Sequence, residues 1–528
     1  MSRLLLPPPS DLGAPAHYTS WRPQQELAFE AITNSPKRFF AGAMPTGFGK
    51  SLVNAVYALA AGGRAIYLTS TKGLQNQLQE FRESGLVDIR GMSNYECLGM
   101  DESERRLWSM SNRFGRPWPG CDEGPCHSGK KCELKDYGCL YYDANKIARV
   151  GFFVSSNYSY WLAINRWGEG LGEFDTLVLD EAHEVPSELS AFLKIEISDW
   201  ELSLISHHWP RHEISVENWT HWAHDGREKI DALIARDEER GYRRSERRKL
   251  KHLDLKFKSL GCANEDWITE KQTRGWSWEP IWPAPYAEEY LFRGIKKVIF
   301  SSATMRPKTL ELLGLKPEDY DFHEYPSSFP LKNRPVIHLP TVRVDKRIQP
   351  GQMKVWLGRI DQIIKDRTDR KGIIHTVSYE RAREIVSNSR FSRMMLTHAN
   401  ASEAKGVIER FRVSKDPCIL VSPSVTTGYD FPADMCRYQI IGKIAFPDTR
   451  SAVMKARQAA DKDYGVYLAL VDLVQSAGRA VRSEDDWAET FVIDDHMSWV
   501  VWKFQRFVPK WFLKSVASSE QIPKPMTR

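Results

Sequence analysis

Short apolar runs punctuate this chain, and stretches with helical spacing separate them. Arg38–Ala43, Ala65–Lys72, Gly151–Asn157, Phe174–Asp180 and Lys297–Thr304 begin as β-prone, continuously apolar segments, the pattern of strands buried on both faces of a parallel sheet. Leu52–Ala60, Gly73–Glu83 and Leu140–Ala148 carry the helical period between them. A second series follows, with strands predicted at Gly372–Val377, Cys418–Pro423, Tyr438–Gly442 and Thr490–Asp494. Its helices are Val355–Asp366, Tyr379–Ser387, Glu403–Val413 and Ala452–Ala460. Repeated alternation of this kind predicts two α/β domains. The proline-bearing link from Tyr325 to Pro340 marks the break between them. Ahead of the first strand, Glu26–Ile32 reads as a helix with Thr19 or Ser20 as its cap and Pro23 in its first turn.

Two stretches interrupt the alternation. Residues 91–140 hold five of the eight cysteines, Cys97, Cys121, Cys126, Cys132 and Cys139, among glycines, prolines and charges. A segment so poor in core residues needs a staple. Residues 190–290 are crowded with Trp200, Trp209, Trp219, Trp222, Trp267, Trp276, Trp278 and Trp282. There the run Arg236–Lys258 carries Arg243, Arg244, Arg247, Arg248, Lys249 and Lys251. Aromatics beside cations can stack bases and neutralise phosphates. The alternative is a helical domain whose tryptophans fill a core and whose charges form a solvated face. The chain therefore divides into a flexible tail at 1–16, a first α/β domain in three pieces (17–90, 151–189 and 291–340, the last including the link), a cysteine segment at 91–150, an insertion at 190–290 and a second α/β domain at 341–528.

Length supports several cores: 528 residues correspond to roughly three to four domains. The net charge of +6 fits a local basic track rather than a basic coat. No apolar run approaches the ~20 residues of a membrane span, so no membrane partner is expected. Leu4-Leu5-Leu6 runs at once into Pro7-Pro8-Pro9, too short for a signal-peptide core. The expected compartment is intracellular, where cysteines serve metals or chemistry more often than disulfides.

Chemistry concentrates at four places. Met44-Pro45-Thr46-Gly47-Phe48-Gly49-Lys50-Ser51 lies between a strand and a helix, the setting of a phosphate-binding loop. Gly47 and Gly49 let Thr46, Phe48 and their neighbours turn backbone N–H groups toward a phosphate of ATP. Lys50 reaches the β- and γ-phosphates, and Ser51 holds Mg²⁺. Met44 stands where such loops usually start with glycine. Asp180-Glu181-Ala182-His183 closes the strand from Phe174, and a buried parallel strand delivers its end into a nucleotide crevice. Asp180 would hold Mg²⁺ through water while Glu181 polarises the attacking water. Arg22 and Gln25, one helical turn apart, could approach the adenine. In the second half, Val425–Phe431 includes Gly428 and Asp430, and Gln475–Arg482 includes Arg479 and Arg482. These two arginines, three apart, are expected on one helix face as arginine fingers. The cysteines, in loose uneven spacing and without C-x-x-C pairs, leave a [4Fe–4S] cluster, zinc or free thiols open. With four ligands needed, Cys121 is the expected spare, which leaves Cys97, Cys126, Cys132 and Cys139. His207-His208 has no matching ligands nearby and carries no metal assignment.

Taken together these residues resemble a superfamily 2 helicase of the iron–sulfur XPD/DinG family. M-P-T-G-F-G-K-S is similar to that family's phosphate loop, methionine included. D-E-A-H, S-A-T, T-G-Y-D-F and Q-x-x-G-R-x-x-R follow in the family's order. Gly138-Cys139-Leu140-Tyr141-Tyr142 looks like its C-P-Y-Y ending, with Leu140 for proline, and Asn94-Tyr95-Glu96-Cys97 like its first cluster ligand. Thr427 stands where the family usually has a glutamate. The resemblance implies two RecA-like motor domains with parallel sheets, an inserted iron–sulfur segment and an inserted, mainly helical Arch-like domain. It implies site roles for Gln475 and His183 and a [4Fe–4S] cluster in the cysteine segment. It also implies a DNA helicase, active as a monomer, that hydrolyses ATP and moves 5′ to 3′ on single-stranded and forked DNA. The expected location is then the cytoplasm, nucleoid-associated or in a host, or the nucleus of a eukaryote. A DNA-stimulated ATPase that switches without unwinding, and an RNA helicase, are the alternatives. Protein partners are not legible.

Overall fold

The structure, a computed structural model, describes residues 6–111, 117–126, 131–212, 214–240, 244–345, 348–423 and 431–527. The first five strands are β1 (Phe39–Ala43), β2 (Ala65–Thr69), β3 (Leu86–Asp88), β4 (Phe153–Asn157) and β5 (Thr176–Asp180). The insertion contributes β6 (Ile195–Ser198), β7 (Trp267–Gln272) and β8 (Gly275–Pro280). The chain then returns with β9 (Lys297–Ser302) and β10 (Tyr320–Glu324). The first sheet runs β10-β1-β9-β5-β2-β4-β3, and its pairs are parallel. β1, β2 and β5 are buried along their whole length, as apolar strands covered by helices on both faces must be.

The second sheet holds β11 (Val336–Val342), β12 (Gly372–His375), β13 (Met395–Leu396), β14 (Ile419–Ser422), β15 (Tyr438–Ile441), β16 (Glu489–Asp494) and β17 (Val516–Ser518). Their order is β13-β14-β12-β15-β16-β11-β17, again in parallel pairs. The two-domain α/β architecture is thus as expected, with different edges. The link read at Tyr325–Pro340 already contains most of β11. Pro340 lies at a register shift of that strand, between His338 and Val342, where a residue without an N–H is tolerated. The second domain therefore begins ahead of Val336, not at 341.

Two further expectations change. The first helix begins at Pro23 with Arg22 as its N-cap residue; Thr19 and Ser20 lie too far upstream to cap it. Residues 6–16 are not a loose tail: Leu6, Leu12 and Ala14 pack on the first core, and the Trp21 indole donates to the Pro7 carbonyl at 2.8 Å. The insertion is mainly helical, as expected, and also holds a small sheet. Helices Val216–Arg240 and Arg244–Leu260 pair with each other and cover an antiparallel sheet of order β6-β8-β7. Its tryptophans make the core: Trp219 and Trp278 are fully buried, Trp222 and Trp267 nearly so, and Trp209 and Trp276 pack beside them. Trp200 alone of this set is largely exposed, with the Lys249 ammonium 4.8 Å from its ring centre.

Candidate active site

The phosphate loop leaves β1 at Ala43, and helix Lys50–Ala60 begins directly after it. Gly47 and Gly49 adopt φ of +77° and +83°, which side chains resist. Space enforces the same choice. A Cβ at Gly47 would lie 1.9 Å from the Phe329 ring, and one at Gly49 would lie 2.3 Å from the Gln25 amide. Arg22 and Gln25 grip the loop from outside: Arg22 Nη1 donates to the Gly47 carbonyl at 3.0 Å, and Gln25 Nε2 to the Phe48 carbonyl at 2.8 Å. Met44, at the usual glycine position, is buried, and Ser301 Oγ donates to its sulfur at 3.7 Å.

β5, beside β9 in the sheet, ends at Asp180, and Glu181 turns into the left-handed region with φ of 50°. Backbone strain of this kind at a non-glycine residue concentrates at functional sites. Tyr158 Oη donates to the Asp180 carbonyl at 2.6 Å, and the Glu181 N–H donates to Asp180 Oδ1 at 3.0 Å, so the pair is tied from both sides. Lys50 Nζ makes an ion pair with Glu181 and stands 3.9 Å from Asp180. Burial opposes the Glu181 charge, but Lys50 and His183 outweigh it and hold this carboxyl at about 2. Burial dominates at Asp180 and, with the Glu181 charge, lifts it to about 6 against the pull of Lys50. Burial works against the Lys50 charge as well, yet the two carboxylates raise its pKa. A hydroxyl and a carboxylate, Ser51 and Asp180, meet in this corner, an all-oxygen donor pair that suits Mg²⁺.

The second domain completes the site. Helix Tyr464–Ala477 carries Gln475 in its last turn. Gln475 Nε2 donates to Thr304 Oγ1 at 2.9 Å and lies 3.1 Å from His183 Nε2. His183 Nδ1 is 2.8 Å from Ser302 Oγ, and burial lowers the pKa of the ring. A neutral ring with its proton on Nδ1 satisfies both contacts. Gly478, Arg479 and Arg482 line the same cleft, about 460 Å³, as Thr46, Gly47, Gly49, Lys50, Ser51, Asp180, Glu181 and His183. The expected shared helix face is not observed: the helix ends at Ala477, and Arg479 and Arg482 sit on the loop beyond it. Gly478 breaks the helix, and the loop brings both guanidinium groups to the cleft without helical spacing. Gly428 and Asp430, with Thr427, lie outside the described residues.

In the cysteine segment, Cys97, Cys121 and Cys139 are buried in one cluster with Tyr141. The Cys121 thiol lies within hydrogen-bonding reach of both Cys97 and Cys139, and the contact with Cys121 lowers Cys97 to about 6 against its burial. Cys126 approaches the Tyr142 hydroxyl, and a Cβ at Gly99 would lie 2.9 Å from the Cys132 sulfur. The expectation that Cys121 is the redundant thiol runs against its central place between two others. Among the described residues the thiols do not close to a single-ion site; the one trio with ligand atoms within 4.8 Å of one another is His224, Asp225 and Glu228, all exposed.

Solved structures supply the comparison. One titled as an XPD helicase covers 95% of this chain and 100% of its own at 14% identity, with a TM-score of 0.62. Xpd4 of S. tokodaii covers 94% and 100% at 12% identity and a TM-score of 0.60. The fold is the one these two structures have. By sequence, residues 362–515 match the helicase C-terminal domain family, a span that starts inside helix Pro350–Lys365 and ends just before β17. No curated protein matches the chain by sequence. Among the described residues no helix is long and apolar enough to cross a membrane.

Several residues at the site carried no sequence signal. Phe329, from the link, is buried on Gly47, and its neighbour Tyr325 packs on Phe48 with ring centres 5.3 Å apart. Arg412 reaches the cleft from the end of helix Ala401–Val413. Each comes from an element remote in sequence, so only the fold reveals it.

Proposed function

We propose that this chain is an ATP-driven DNA helicase that translocates 5′ to 3′ on a single strand and parts duplex DNA. One observation carries the reading: a lysine, two carboxylates, a glutamine and two arginines drawn from both motor domains line a single cleft. Lys50, paired with Glu181, would exchange that partner for the β- and γ-phosphates of ATP. Glu181, charged at neutral pH, is then free to orient and polarise the attacking water. Ser51 and Asp180 would hold Mg²⁺, which when bound would supply charge neutralisation at the phosphates. Arg479 and Arg482 meet the charge that develops in the transition state. Gln475 touches both His183 and Thr304, so a change at the phosphates passes directly to the domain interface.

Cys97, Cys121 and Cys139, with Cys126 or Cys132 as the fourth ligand, would hold a [4Fe–4S] cluster that staples a segment with little core of its own. Protein purified without air should carry about four irons per chain. Cys97→Ser and Cys139→Ser should lose them. Loss in Cys121→Ser with retention in Cys126→Ser would assign Cys121 as the ligand, and the opposite pattern would restore it as the spare.

The deciding experiment is unwinding of 5′-tailed and 3′-tailed DNA duplexes. Strand release only from the 5′-tailed substrate supports the proposal. ATPase stimulated by single strands without release would make the protein a nucleic-acid-gated switch, and preference for RNA tails would make it an RNA helicase.

A further inference from the structure

β15 reads Tyr438-Gln439-Ile440-Ile441, and its glutamine is fully buried. Side chains alternate along a strand, so Tyr438 and Ile440 enter one core while Gln439 and Ile441 face the other, under helix Tyr464–Ala477. Ile441 shares that core with Leu470, Leu473 and Val474, and a leucine at 439 would suit the same layer. Gln439 instead engages both ends of its amide. Its Nε2 donates to the Ala477 carbonyl and to Thr490 Oγ1, each at 2.9 Å, and its Oε1 lies 3.0 Å from His375 Nε2. Because the amide oxygen can only accept, His375 carries its proton on Nε2 in this contact. That ring is 3% exposed, and its other nitrogen has no hydrogen-bond partner among the described residues. The bond to Gln439 therefore fixes which way the amide faces.

The carbonyl held by Gln439 starts the arginine loop. Ala477 ends its helix, and the last carbonyls of a helix have no partner within it. Gly478 and Arg479 follow directly. A Cβ at Gly478 would lie 3.6 Å from Thr46 Oγ1, so this stretch faces the phosphate loop. Beyond Arg479, Ala480 and Val481 are buried with Ile373, Leu420 and Ala488, and the Arg482 N–H donates to Asp486 at 3.2 Å. Arg479 thus stands between two fixed points, and Gln439 makes one of them.

We infer that Gln439, oriented by His375, is a positioning residue for Arg479. It pins the helix end from inside the core, so that the guanidinium is aimed into the cleft before nucleotide arrives. Misplacing a reacting group by about 1 Å can cost on the order of 10²-fold in rate, even when the change lies far from the chemistry. The inference rests on the nucleotide reading of the cleft.

ATP hydrolysis by full-length protein tests it. Gln439→Met keeps the length of the side chain and removes both donors. It should lower kcat roughly 10- to 100-fold, with KM for ATP and single-strand binding unchanged. The same substitution in Arg479→Ala protein should lower kcat far less, because the group it places is gone. His375→Phe should lower kcat as well, and His375→Gln, which keeps an Nε2–H donor, should lower it far less than His375→Phe. Normal kcat in Gln439→Met, the full loss repeated in Arg479→Ala protein, or a loss of strand binding equal to the loss of turnover would each overturn the inference and leave the nucleotide reading intact. No ATP turnover by the wild-type protein would overturn that reading and the inference with it.

Discussion

Lys50 pairs with Glu181 and stands 3.9 Å from Asp180, so its removal does more than delete a phosphate contact. Lys50→Ala should abolish ATP hydrolysis, measured as phosphate release, and leave single-strand binding in place. Arg479→Ala and Arg482→Ala should lower kcat by roughly 10³-fold or more with a small change in KM, the signature of groups that meet transition-state charge. A change confined to KM would remove them from that role. His375 offers a test at the same scale by pH. It is buried in β12 with Nε2 on the Gln439 amide at 3.0 Å, and burial, aided by the Arg479 charge, lowers its pKa from 6.5 to about 4. The folded state thus favours the neutral ring. That contribution, at most about 3 kcal/mol, is present above the unfolded value of 6.5 and is lost as pH falls through about 4. Urea midpoints of wild type should decline across this window, and those of His375→Gln should decline less.

Elements respond differently from residues, because each is held by one or two dominant contacts. The insertion's core depends on Trp219, whose ring lies 5.0–5.2 Å from those of Trp222, Trp276 and Trp278. Trp219→Ala should cost about 3–5 kcal/mol. Because this core is separate from those of the motor domains, hydrogen exchange should rise in residues 195–280 and stay low in β1, β2 and β5. The same separation explains why the sequence left two readings open there. Tryptophans at irregular spacing signal neither a helix face nor a strand face, and only the packing of β8 under the helix pair shows that most of them are core. Phosphate-loop strain is the second element-level prediction. Gly47→Ala would need the Phe329 ring to move as well as a left-handed alanine, so it should impair nucleotide binding more than a φ penalty alone.

At the scale of the whole molecule, the insertion is clasped to the second α/β domain. Arg457, on helix Ala452–Ala460, is buried against Glu279 at 2.7 Å, the Ile281 carbonyl at 2.6 Å and the Pro280 carbonyl at 3.1 Å. Trp282 packs edge-on against Tyr464 beside it, and Glu270 accepts from the Ala452 N–H at 2.9 Å. On its other side the insertion reaches the cysteine segment through Arg248 and Glu123, 3.7 Å apart. Under the proposed function, closure of the two domains on ATP would be transmitted to the insertion through these contacts. Arg457→Ala removes the ion-pair partner of the half-buried Glu279 and should weaken that contact. ATP turnover should survive it while unwinding per ATP falls; equal losses in both would mean that the clasp is structural only.

What the sequence determined by itself is local. Strand–glycine loop–helix, an apolar strand ending in carboxylates and a second βα series are written in adjacent residues, so the two sheets, the phosphate loop and the D-E-A-H turn were legible before any fold was known. Local pattern failed where a strand was too short to show a period, as in β3, β13 and β17, or where Pro340 disguised β11. It failed again at Arg479 and Arg482, whose shared direction comes from a loop anchored at Gly478 and not from helical spacing. Tertiary structure alone decided which distant groups meet: Phe329 on Gly47, Gln475 on His183, Arg457 on Glu279, Cys121 between Cys97 and Cys139. Such contacts are set by how sheets and helices close over one another, and no stretch of neighbouring residues encodes that closure.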